Sequence, residues 1–318
     1  QINGAVNKLQ YTGSGGNDAL RILGGVNNSN IDLGDGDNSF TAQNAKGAMQ
    51  VLSNTNITAS GDGATSLAIG NYVYSAAGNS IELGAGDNTI NMGSITGKGV
   101  AGLRLDLSSS ELSQSVTIAS SANYLSYVGS QGDDALTIMG ALNNSSVDLG
   151  AGDNSLTSRN AKGAAQTVNN TNITASGDGA SSLEIGNYVF SASGNSIVLG
   201  GGANTVKLGA VSGKGTAGLH IDLGASQAEQ NVTIGSSANY LTYTGSAGDD
   251  ALTILGSLNN SNIDFGEGDN SLTSQSAKGV LQVVGNTNIT ALGAGANTIT
   301  AGAYKAGTAG NTITLGEG

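Results

Sequence analysis

Cysteine, proline and tryptophan are absent from this chain of 318 residues, and histidine occurs once. Without cysteine no disulfide staples the fold, a pattern that in a large secreted chain fits a bacterial exoprotein better than a eukaryotic one. With a single histidine, no Ser-His-Asp or Cys-His set can recur, and none is evident once. Aromatic residues make up 4% and charged residues 11%. Sugar cleavage needs grooves, basic residues and aromatic platforms beside its carboxylates, so the lack of tryptophan and the scarcity of arginine argue against it. Lysine and arginine number 11 against 23 acidic residues, giving a net charge of −12 and an isoelectric point near 4.2. No basic patch is there to displace counterions from phosphates, so no nucleic-acid partner is expected. No apolar run is long enough to span a bilayer, so membrane insertion is not expected either, and no signal peptide stands at Gln1.

Glycine fills the gap with 52 residues, joined by Asn, Ser, Thr and Ala. Gly, Asn, Ser and Thr punctuate tight turns, and Val, Ile, Leu and Thr fill short strands. These residues are ordered as one unit of 116 written almost three times. Tyr11, Tyr127 and Tyr243 are 116 apart, as are Asn38, Asn154 and Asn270, and Tyr72, Tyr188 and Tyr304. The register is unbroken through Leu83, Leu199 and Leu315. A residue that builds the scaffold of such an array recurs, whereas one that does chemistry need not. The expected organisation is a single continuous domain over 1–318, with units at about 7–122, 123–238 and 239–318, the last incomplete. Gln1 is not an initiator Met and the third copy stops at Gly318, so the parent protein is expected to be longer, with its secretion signal outside this window.

Copy one holds twelve strand candidates separated by Gly/Asn turns, just under ten residues apart. Ile31 and Leu33 point one way and Asp32 the other, and Ile81 and Leu83 flank Glu82 in the same manner. Period two with such regular turns predicts an all-β chain, and the lack of Asn-Gly hairpin turns predicts a parallel β-solenoid, a β-roll or β-helix, right-handed by the usual crossover rule. Two-strand coils give six coils of about nineteen residues per unit, and three-strand coils give four longer ones. The two-strand arrangement is preferred and sets Asp18 directly beneath Asn38. Around Ala48–Leu52 either Met49 and Val51 or Ala48 and Leu52 face inward.

The recurring turn is Gly-x-Gly-Asp-Asn-x-apolar, at Gly34–Phe40, Gly84–Ile90, Gly150–Leu156 and Gly266–Leu272. A second form closes on Asp18-Ala19-Leu20, Asp134-Ala135-Leu136 and Asp250-Ala251-Leu252. These turns resemble the nonapeptide repeat of RTX proteins, Gly-Gly-x-Gly-x-Asp-x-apolar-x, as found in bacterial surface proteins of S-layer or giant-adhesin type, here with degenerate repeats. The resemblance implies Ca²⁺-binding parallel β-rolls and export by a type I system. It places Asp18, Asp134 and Asp250 at the family's Ca²⁺-ligand position, with Asp37, Asp153 and Asp269 nearby and turn carbonyls completing the shell. Elsewhere that position holds Asn38, Asn88, Asn154, Asn204, Asn270 and Asn297, or Thr65 and Ser181, and loss of the carboxylate weakens a site for a hard cation. The other reading is a metal-free solenoid whose Asn side chains bond in ladders from coil to coil. No cofactor is required on this second reading; Ca²⁺ is the one cofactor the resemblance implies.

His220 has Arg104 as its equivalent, so the scaffold needs no imidazole there. Lys46, Lys162 and Lys278 recur in Ala-Lys-Gly, and Lys98 and Lys214 in Gly-Lys-Gly, either as solubilising loop residues or as a contact row for the acidic face of another copy. The expected role is therefore non-enzymatic: a structural segment of a bacterial cell-surface or secreted protein that assembles with copies of itself into an S-layer, filament or matrix. An adhesin stalk that binds glycans, including cell-surface polysaccharide, or a host partner is the alternative. An ice-binding solenoid ranks lower: Thr298/Thr300 and Thr312/Thr314 qualify as Thr-x-Thr pairs, but the first and second copies carry mostly Ser, Ala or Asn there.

Overall fold

The computed structural model describes residues 1–75, 78–100, 102–191, 194–213, 218–307 and 311–316. The regular elements among them are strands of two to five residues. They form three sheets, each taking every third strand of the chain. The first coil runs through Val6–Asn7, Gln10–Thr12 and Ala19–Ile22, and the next opens at Val26–Asn27, paired in parallel with the first strand. The chain is a parallel β-solenoid with three strands per coil.

The preference for two-strand coils is corrected by this order. Asp18, Asn38, Thr65, Asn88, Gln114 and Asp134 lead into the third-sheet strands of successive coils, with separations of 20, 27, 23, 26 and 20 residues. Five coils of uneven length, neither six nor four, thus complete one 116-residue unit. The strands that alternation does not reveal are Val26–Asn27, Ile95–Gly97 and Ala122–Asn123, which are too short to carry a period. Asp18 does lie one coil from Asn38, because that coil happens to be 20 residues long.

The chain divides into two compact units. One is Gln1–Ala151 with Ser158–Gly163; the other is Gly152–Thr157 with Ala164–Gly318. In the first unit Leu20, Phe40, Leu67, Ile90, Val116 and Leu136 stack in register along the third sheet. Ile31, Ile57, Ile81, Leu105 and Tyr127 do the same in the second sheet, and Val26, Leu52, Tyr72 and Ile95 in the first. All are buried. In the second unit Leu183, Val206, Val232, Leu252 and Leu272 form the matching third-sheet stack. Each such side chain contributes about 1.5–3 kcal/mol of burial, and the like-on-like stacking repeats the contact coil after coil.

The corners differ in chemistry. Between the first and second sheets a single left-handed residue turns the chain, Asn28 at φ 49° and Asn54 at φ 45°, as asparagine tolerates. Asn28 Nδ2 donates to Asn7 Oδ1 at 3.0 Å and Asn54 Nδ2 to Asn28 Oδ1 at 3.3 Å, a ladder of amides. Between the third and first sheets the 27-residue coil leaves the solenoid as a small hairpin, with an antiparallel bridge from Gln43 to Met49. That excursion resolves the register question. Leu52 faces in, whereas Ala48, Met49 and Val51 are all exposed on the hairpin.

Candidate functional site

The corner between the second and third sheets gathers the residues singled out by the turn motif. Each lies two positions before the first inward residue of a third-sheet strand, so its side chain points inward at the corner and is taken out of water, only partly at Asp18 and Asn297. Asn38, Asn88, Gln114 and Asp134 in the first unit, and Ser181, Asn204, Gln230, Asp250 and Asn270 in the second, are buried. A buried polar side chain demands partners, and the backbone one coil away supplies them. Asn38 Oδ1 accepts the Asp18 N–H at 2.8 Å, Asn88 Oδ1 the Thr65 N–H at 2.9 Å, and Gln114 Oε1 the Asn88 N–H at 3.2 Å. Asp134 Oδ1 accepts the Gln114 N–H at 2.8 Å. The second unit repeats the pattern with Ser181 N–H to Asn204 Oδ1, Asn204 N–H to Gln230 Oε1 and Asp250 N–H to Asn270 Oδ1.

The amide ends close the turns. Asn38 Nδ2 donates to the carbonyls of Gly34, Asp35 and Gly36 at 3.2, 3.0 and 2.9 Å, and Asn88 Nδ2 to those of Gly84 and Gly86 at 3.0 and 2.9 Å. Gly34 sits at φ +73°, and a Cβ there would lie 2.1 Å from the Ser14 carbonyl oxygen, so no other residue type fits. Thr65 has no amide to offer, and its Oγ1 is without a hydrogen-bond partner among the described residues. There the link runs through the backbone, from Asn38 N–H to the Ala64 carbonyl at 2.8 Å, and through Asp37, whose Oδ1 accepts the Ala64 N–H at 2.9 Å.

The six candidate ligand aspartates fall into two sets. Asp18, Asp134 and Asp250 belong to the inner column. Asp134 accepts the Ser130 N–H at 2.6 Å and its hydroxyl at 2.7 Å, Asp250 accepts the same groups of Ser246 at 2.6 and 2.8 Å, and Asp18 those of Ser14 at 2.5 and 2.9 Å. Asp37, Asp153 and Asp269 lie on the exposed turn, where each Oδ1 accepts a backbone N–H of the following coil, from Ala64, Ala180 and Ala296. The carboxylate oxygens thus face proton donors, and where Asn stands its NH₂ group occupies the turn carbonyls that a cation would need. Among the described residues no three acidic or histidine side chains are grouped to hold a metal. This donor set does not fit a Ca²⁺ column.

Burial pushes the Asp134 carboxyl above its ordinary pKa, against the Ser130 and Gln114 donors, and the charge of Asp133 adds to the rise. Burial raises Asp250 likewise, opposed by Ser246 and Gln230. The Tyr127 hydroxyl is also raised, by burial first and by Asp134 second, and has no hydrogen-bond partner among the described residues. Tyr72 behaves differently: its Oη donates to the Thr55 carbonyl at 2.5 Å and accepts the Thr55 N–H at 3.1 Å, and burial pushes its pKa up to about 12. Tyr188 makes the same bond to the Thr171 carbonyl.

Charge is sorted by corner. Asp35, Asp37, Asp62, Asp87, Glu111 and Asp133 stand exposed on the turns between second and third sheets in the first unit. Asp32, Glu82 and Asp148 face outward on the second sheet. Lys46, Lys162 and Lys278 sit on exposed hairpins between the third and first sheets, and Lys98 is on the exposed loop between the first and second. Lys214 lies outside the described residues. His220 faces outward on the second sheet, its Nε2 3.3 Å from Thr244 Oγ1. Thr298/Thr300 and Thr312/Thr314 do not share a face, since the first pair lies on the third sheet and the second pair on the second sheet.

The glutamines of the column, Gln114 and Gln230, escape a search for Gly-x-Gly-Asp-Asn because the turn before Gln114 has no glycine and that before Gln230 keeps only Gly224. The signal that finds them is position: each stands two residues before Val116 or Val232, as Asn88 does before Ile90. Comparison with protein-family models, curated proteins and solved structures finds no match for this chain.

Proposed function

We propose that the chain is a non-enzymatic structural segment of a bacterial cell-surface or extracellular protein, which associates with copies of itself into a layer, filament or matrix. The observation that carries this reading is where the polar side chains of the repeated turns go. They bond backbone groups of neighbouring coils, so the recurrent chemistry stiffens the solenoid and leaves its outer surface to repeat every 116 residues. Repeated weak contacts of that kind add by multivalency. Negative-stain electron microscopy of the purified chain tests it: ordered arrays or filaments are expected, whereas dispersed short particles that bind a glycan array support the adhesin stalk instead.

One observation favours a second reading. Thr233, Thr253, Thr273 and Thr300 stand in register on consecutive coils of the third sheet, beside Asn231, Ala251, Ser271 and Thr298. An uncharged row of hydroxyls at strand spacing suits an ordered water layer, and thermal hysteresis of a freezing solution is its measurement.

A further inference from the structure

We infer, on the premise of the self-assembling role above, that copies of this chain join edge to edge, the lysine hairpins of one copy meeting the acidic turns of the next. The third sheet separates the two edges. Along one of its borders run the turns that carry Asp35 and Asp37, and along the other the hairpin that carries Lys46; the strand Asn38–Ala42 lies between them in the same coil. The second unit has the same order, with Glu267 and Asp269 before Ser271–Ser274 and Lys278 after it. Acidic residue and lysine therefore share a coil, so within a unit a sideways translation with no shift in register matches Lys46 with Asp37 in the first and Lys278 with Asp269 in the second.

Three further observations support the match. The hairpin holds itself in place without using the ammonium group: Gly47 N–H donates to the Asn44 carbonyl at 3.0 Å, and Lys46 N–H to Asn44 Oδ1 at 2.9 Å. The same bonds recur between Asn160 and both Gly163 and Lys162. No ion pair within the chain engages Lys46, Lys162 or Lys278 among the described residues. Beside the charge the first and third hairpins expose large apolar side chains, Met49 at 45% and Val51 at 41% in the first copy and Val280 at 63% and Leu281 at 44% in the third, where the second copy has Ala164 and Ala165. An acidic edge on every copy would repel its like, whereas acidic edge against basic edge attracts. Because the two edges differ, the contact is head-to-tail, and a translation without rotation does not close, so copies add without limit.

The experiment compares the full chain with K46E/K162E/K278E, and with K46R/K162R/K278R as the charge-preserving control. These side chains are exposed, and an unchanged melting curve confirms that each variant folds. The expected result is that charge reversal raises the concentration needed for assembly by roughly tenfold or more, while the arginine variant assembles as the native chain does. A zero-length carbodiimide cross-link between isotope-labelled and unlabelled chains reads the pairing directly, and is expected to join Lys46, Lys162 or Lys278 to the acidic turns of another copy. Assembly that persists in the reversed variant, or cross-links that map elsewhere, overturns the edge pairing and leaves the structural role intact. A native chain that stays monomeric at every concentration overturns both.

Discussion

The Gln114 N–H donates to Asp134 Oδ1 at 2.8 Å, across one coil and at full burial of both side chains. This bond is one rung of a polar column that runs beside the hydrophobic stacks. Asp134→Ala removes the acceptor for the N–H groups of both Gln114 and Ser130 and leaves them dry. The expected loss is about 2–4 kcal/mol, the cost of buried donors left unpaired, read as a lower denaturant midpoint with unchanged slope.

Two tyrosines that look alike in the sequence are expected to respond in opposite ways to losing the hydroxyl. Tyr72→Phe breaks both bonds to Thr55 and is expected to cost about 1–2 kcal/mol. Tyr127→Phe deletes a buried hydroxyl without a partner and is expected to be neutral or stabilising by up to about 1 kcal/mol. Equal destabilisation by the two variants would contradict the assigned bonding.

The pH dependence has two opposed parts. Asp134 and Asp250 have folded pKa values above 3.8, so they bind protons more readily folded than unfolded, and stability rises as pH falls through that window. For Asp106 burial pushes upward, but the Ser108 and Arg104 bonds outweigh it and hold the carboxyl below 3.8; its contribution is present above that value and lost beneath it. Melting temperatures are therefore expected to hold or rise as pH falls from neutrality toward 3.8 and to fall only beneath it. In D134N/D250N the rise is expected to shrink.

Chelation is expected to change nothing. The aspartates at the RTX-like positions already accept N–H and O–H donors, so EDTA should leave the melting curve where it was and added Ca²⁺ should not raise it. A rise in melting temperature that saturates with Ca²⁺ would overturn this account of the turns.

The 116-residue period, the all-β class, the parallel solenoid and the inward positions of Ile31, Leu33, Ile81 and Leu83 followed from the order of residues alone. They are local or self-referential properties: alternation sets the face of a strand, and repetition sets the array. The coil did not follow. Val26–Asn27 is a strand only because Val6–Asn7 and Leu52–Ser53 pair with it, and two residues carry no period of their own. The same holds for the turns. Asp134 has the residue type and spacing of a metal ligand, but the sequence does not show that its carboxylate accepts the Ser130 hydroxyl and the Gln114 N–H, which tertiary packing delivers from four and twenty residues away. Which oxygen a donor reaches depends on how coils of unequal length stack, and the longest of them, at 27 residues, owes its length to the hairpin at Lys46, which lies outside the coil.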